Sequence, residues 1–135
     1  MNITRRIICL LLCFVFLLQI STANASATAI HPRYISINSI GATLQANSNR
    51  TTISFGARIS AIDEYPVSLE CCIQYYDDGY WIDISNWSIN GVTEVRLEKS
   101  KPINPGYEYR LVVVGNVYST NGILIESDTI YRYLS

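Results

Sequence analysis

The side chains of this 135-residue chain that could do chemistry are few, and they stand apart. A Ser-His-Asp arrangement would have to use His31, the one histidine. It sits beside Pro32, ahead of the first strand-like stretch, where nothing holds a base within hydrogen-bond reach of a nucleophile. A zinc site takes about four ligands, and one histidine with the adjacent Cys71 and Cys72 falls short. The seven glycines are dispersed over turns instead of forming a phosphate-cradling loop. Asp77, Asp78 and Asp83 flank an aromatic hairpin, where carboxylates could supply a glycosidase acid and base or a calcium site. Read structurally they are turn residues and one solvent-facing strand position, and Asp77-Asp78-Gly79 lacks the regularly spaced oxygen ligands of a helix-loop-helix calcium loop. The expectation is a protein that is not an enzyme, with no catalytic residue, no metal and no cofactor.

The feature that rises above background is aromatic. Ten tyrosines and two tryptophans are a heavy load for this length, and Tyr75, Tyr76, Tyr80, Trp81 and Trp87 gather around one hairpin. Successive strand residues point to opposite faces, so these rings cannot all enter a core. Exposed rings stack on sugars or anchor protein contacts. A second anomaly is Val112 and Val114, which stand where the polar face of an otherwise sided strand should continue. The candidate contact residues are therefore Tyr76, Tyr80, Trp81, Trp87, Val112 and Val114. They suggest a secreted recognition or adhesion module that binds an extracellular protein partner. The alternatives are a carbohydrate-binding module using the aromatics of residues 75–87, or a purely structural extracellular domain with its first or last strand open to edge pairing. Coplanar exposed rings beside carboxylates or amides would favour a glycan; a contiguous apolar patch without that arrangement would favour a protein. Arg50, Arg58, Arg96 and Arg110 read as solvent-facing strand positions.

The elements that must position these residues are strands throughout. The densest signal is residues 105–118, PGYEYRLVVVGNVY, with Tyr107, Tyr109, Leu111 and Val113 on one face and Glu108 and Arg110 on the other. Residues 34–40 alternate, Gly41 is expected to break that strand, and residues 42–46 to continue it after a bulge. Residues 50–61 place Ile53, Phe55, Ala57 and Ile59 on one face. Residues 67–76 follow with Val67, Leu69, Cys71, Ile73 and Tyr75 inward. Asp77-Asp78-Gly79 predicts a tight hairpin into residues 80–84. Residues 85–91 read as a polar loop in which Trp87 and Ile89 plug the edge of the core, and residues 92–97 as a short strand with Val92 or Val95 and Leu97 inward. Residues 99–105, with two prolines, read as a turn segment. Asn121-Gly122 predicts a loop of three to five residues into a last strand over 123–133, with a bulge expected near Ser127-Asp128. Seven to eight short strands with turn signals roughly every ten residues predict an all-β, two-sheet antiparallel β-sandwich, with a small closed barrel as the alternative.

Ahead of the strands, Arg5 and Arg6 precede an apolar run over residues 7–18 and a small-residue stretch over 21–29, the organisation of a secretory signal peptide. Residues 1–27 are assigned to it and residues 28–135 to a single sandwich domain. The run is shorter than the roughly 20 residues of a membrane span, so no stable span is expected after cleavage. Cleavage takes two of the ten basic residues and none of the eleven acidic ones, and the weakly negative remainder excludes a phosphate-backbone partner, hence no nucleic acid. It also leaves Cys71 and Cys72 as the only cysteines. Chain neighbours in a strand point apart, so two separate thiols, a strained vicinal disulfide and pairing with another chain stay open.

The segment from Pro105 to Val113, followed by a hairpin and a serine-containing last strand, resembles the final two strands of fibronectin type III domains within the immunoglobulin-like sandwiches. The resemblance implies that Tyr109 is the framework tyrosine, that Leu111 and Val113 are core positions, and that residues 102–105 cross between sheets. The first-half tryptophan of such domains has no clean match, since Trp81 lies beyond a tight turn. The D-G-Y-W hairpin and Y-x-Y-R strand are also similar to those of small secreted proteins of Gram-positive bacteria that share this domain. No catalytic residue is carried over by either resemblance.

Overall fold

A computed structural model describes residues 35–135. Seven strands run in chain order: β1 (Ile37–Ala46), β2 (Thr52–Ala61), β3 (Pro66–Asp77), β4 (Tyr80–Val92), β5 (Glu94–Pro102), β6 (Glu108–Tyr118) and β7 (Leu124–Tyr133). They form two antiparallel sheets, β1-β2-β5 and β4-β3-β6-β7, packed as a β-sandwich and not as a closed barrel. The signal-peptide assignment, His31 and the start of the first expected strand at Tyr34 lie outside the described residues.

The core follows from period-two alternation. Ile53, Phe55, Ala57 and Ile59 of β2 are buried, facing Val67, Leu69, Cys71 and Ile73 of β3 and Tyr109, Leu111, Val113 and Val117 of β6. Burying a large aliphatic side chain is worth about 1.5–3 kcal/mol. The ion pairs Arg58–Glu94 at 3.7 Å and Arg96–Glu98 at 3.9 Å are largely exposed, and such pairs contribute about 0–1 kcal/mol. Apolar burial therefore decides the fold. The sheets approach closely at Gly115 of β6, where a Cβ would lie 2.6 Å from Cδ1 of Ile59 and 2.7 Å from Cδ1 of Ile40.

Several boundaries differ from those expected. The hairpin turn is as predicted: Asp77 pairs with Tyr80, and Asp78 and Gly79 take positive φ values of 45° and 88°. β1, however, runs through Gly41 unbroken, and its irregularity falls between Ile37 and Ser39. Residues 85–91 are strand, not loop. Ile84 is an extra residue in β4, because Ser85 pairs with Ile73 while Asp83 pairs with Gln74. This bulge turns Trp87 and Ile89 toward the core, as plugs of its edge. Val92 ends β4 and is exposed, leaving Val95 and Leu97 as the inward residues of β5. β5 runs on to Pro102, tolerated because β5 is an edge strand paired only to β2. In β7 the slip lies at Ile125, not near Ser127-Asp128.

Three devices fix the strand ends. Tyr109, inside the sandwich, donates its hydroxyl to the Asn104 carbonyl at 2.8 Å and accepts from the Asn104 amide at 3.1 Å, tying the β5–β6 crossing to β6. Thr93 joins β4 to β5 with a φ of 66°, rare for a β-branched residue. Its amide donates to the Tyr65 carbonyl and its carbonyl accepts from the Ala61 amide, and these bonds hold it there. Between β7 and β1, Glu126 accepts from the amides of Ile35, Ser36 and Ile37 at 3.2, 2.7 and 2.8 Å, and Arg132 Nε donates to the Ala42 carbonyl at 2.9 Å.

Candidate functional site

With their alternate residues committed to the core, β4, β3, β6 and β7 present the other set as one outer face. The register arranges that face in rows. Trp81, Tyr76 and Glu108 stand side by side, then Asp83, Gln74, Arg110 and Tyr133, then Asn86, Cys72, Val112 and Tyr131, then Ser88, Glu70, Val114 and Thr129.

Arg110 organises the first three rows. Its guanidinium carbon lies 4.2 Å from the Trp81 ring centroid and 5.1 Å from that of Tyr131. Its Nε donates to Gln74 Oε1 at 2.7 Å, and Gln74 Nε2 donates to Asp83 Oδ1 at 2.6 Å. Trp81 also meets Tyr76 at 5.2 Å and Tyr133 at 5.8 Å between centroids. Each cation–π contact at a partly exposed site is worth about 0.5–1 kcal/mol, and aromatic pairs add about 0.5–1.5 kcal/mol. Arg110 is thus a half-buried cation set over the rings of Trp81 and Tyr131, which corrects its reading as a plain solvent-facing position. The outer rings remain accessible, at 41% for Tyr76, 45% for Tyr131 and 60% for Tyr133.

Below this cluster, Val112 and Val114 are half-buried and line a shallow hollow of about 370 Å³ with Glu70, Cys72, Asn86 and Ser88. Both cysteines are free thiols on opposite faces of β3, Cys71 in the core and Cys72 in the hollow. Burial pushes the Cys71 thiol up to about 12. Burial, then the hydrogen bond and negative charge of Asp83, push Cys72 up to about 12 against the opposing pull of Arg110. Protonated thiols are poor nucleophiles and poor metal ligands.

Four of the six residues singled out from the sequence share this face: Tyr76, Trp81, Val112 and Val114. Tyr80 stands at the hairpin tip, 73% exposed, where it closes the β3–β4 pairing. Trp87 is on the other side of the sheet, its ring 5.1 Å from that of Phe55. Sequence reasoning missed Arg110, Tyr131 and Tyr133 as members of the cluster. Their signal is the alternation Tyr131-Arg132-Tyr133 in a strand that pairs with the one carrying Arg110. Among the described residues no group of three or more His, Cys, Asp or Glu side chains could hold a metal ion. Compared with known proteins, the chain matches no family model and no curated protein.

Proposed function

We propose that this protein is a secreted, non-catalytic recognition module whose outer β4-β3-β6-β7 face binds an extracellular protein partner. The observation that carries this reading is the contiguous set of Tyr76, Trp81, Tyr131 and Tyr133 around a stacked Arg110, continued by Val112 and Val114. Trp, Tyr and Arg are the residues most enriched where protein contacts concentrate their energy. A sugar platform is less well served. The Tyr76 and Trp81 rings are inclined by 54° and the Trp81 and Tyr133 rings by 66°, and the amide of Gln74 is engaged with Arg110 and with Asp83. We further infer an immunoglobulin-like domain of the fibronectin type III kind. The three- and four-stranded sheets and the hydroxyl of Tyr109 bonded back to Asn104 support that assignment.

A photo-crosslinking residue at Tyr131 tests the binding face, with Gln45 on the other sheet as control. In cultures producing the protein, the Tyr131 probe should give a discrete protein adduct that Trp81→Ala and Arg110→Ala abolish. Equal adducts from both positions, or adducts indifferent to those substitutions, overturn the assignment.

A further inference from the structure

At the hairpin end of the sandwich, on the flank where β4 and β5 face each other, the two sheets part around a cleft of about 430 Å³. Its position follows from two departures already described. The bulge at Ile84 bends β4, and β5 changes character along its core-facing side, from Val95 and Leu97 to Lys99 and Lys101. Lys101 pairs with Ile53, which is fully buried, so the lysine side chain leaves the strand on the core side. Lys101 is half-buried, and no carboxylate lies within 4 Å of its ammonium among the described residues.

The opposite wall is aromatic. Tyr75 meets Tyr107 edge-on, with centroids 5.1 Å apart and planes at 80°, and lies 6.5 Å from Tyr109. Asn104 lines the cleft too, and its backbone is tied to β6 by the Tyr109 hydroxyl. A few hundred cubic ångströms walled by rings, with a small number of polar groups converging on it, is the usual make-up of a small-ligand site. An unpaired lysine lining the same cleft as tyrosine rings selects for a negative charge carried on a ring.

We propose that this cleft binds a ring-shaped ligand bearing one carboxylate, with the ring against Tyr75 and Tyr107 and the carboxylate on Lys101. A uronic acid at the end of a glycan and a free aromatic acid share that chemistry. The site is separate from the outer face and does not depend on it.

The test is a titration of the folded protein followed by backbone amide chemical shifts, with glucuronate, glucose and benzoate as probes. Saturable shifts at Ile84, Ile103 and Asn104 with glucuronate or benzoate, and none with glucose, are expected. The stronger of the two acids identifies the source. Lys101→Gln should weaken that binding by about tenfold or more, the size of one charge-assisted hydrogen bond. Lys101→Arg should retain it, and near-UV circular dichroism of both variants should match the parent. Equal responses to glucose and glucuronate, no saturable response to either acid, or binding untouched by Lys101→Gln would each overturn the proposal. In that case Lys101 only lays its stem along the core edge with its ammonium in water.

Discussion

Replacing Tyr109 by phenylalanine isolates the tie between the crossing loop and the central strand. The ring is 4% exposed and its packing is kept, so the change removes only the hydroxyl that donates to the Asn104 carbonyl and accepts from the Asn104 amide. Leaving a buried polar partner unsatisfied costs about 1–3 kcal/mol. Asn104 is itself exposed, so water reaches its freed groups and the lower part of that range applies, about 1–2 kcal/mol. For a domain of this size each kcal/mol moves Tm by about 4–8 °C, which gives a fall of roughly 4–16 °C. Urea unfolding followed by tryptophan fluorescence should show a lower midpoint with an unchanged slope, and the Asn104 amide should exchange faster with solvent. A loss below about 0.5 kcal/mol, well under the cost of an unpaired group, would mean that the hydroxyl is not what fixes the crossing.

Three other outcomes follow from the packing and the charges. Gly115→Val drives new atoms into Ile40 and Ile59 and should cost about 1–3 kcal/mol; Ile59→Val in the same chain should recover part of it, and strict additivity in urea denaturation would contradict the close approach. Burial raises the Glu126 carboxyl, but the three amides of Ile37, Ser36 and Ile35 outweigh it and hold the group below its ordinary 4.5. Its stabilisation is therefore complete above that value and is lost as pH falls through the lower folded one. Glu126→Gln should flatten the acid limb of the urea midpoint against pH, and a constant offset from pH 3 to 7 would rule this out. With both thiols pushed up to about 12, iodoacetamide at pH 8 should label native Cys71 and Cys72 about 100-fold more slowly than the unfolded chain. Mass spectrometry that finds Cys72 modified at the unfolded rate would refute the shielding.

Much of the sandwich was legible because its informative residues are local. The alternation of Ile53, Phe55, Ala57 and Ile59, the Asp78-Gly79 turn and the inward set of Tyr109, Leu111 and Val113 each specify a face or a turn without reference to distant chain. The bulges at Asn38, Ile84 and Ile125 were not legible, since they are imposed where two sheets must fit each other and not by a glycine or a polar turn. The Asn- and Ser-rich residues 85–91 look like loop until β3 supplies the pairing that makes them strand. The outer face was half readable. Tyr76 and Trp81 announce themselves beside the hairpin, but Tyr131 and Tyr133 lie about fifty residues away in sequence and join them only through the register of β6 with β7.

The seam between β7 and β1 also has a mechanical meaning. Ile35 sits at Glu126 and Ala42 at Arg132, so the first and last strands advance in the same direction along one flank. Ser135, bonded to Arg50, lies at the far end of the sandwich from Ile35. Tension applied between those two points acts along the strands and slides β1 past β7, so the three bonds of Glu126 and the one from Arg132 are strained together instead of in succession. A domain stitched this way yields to a pull abruptly, at a force set by four contacts at once.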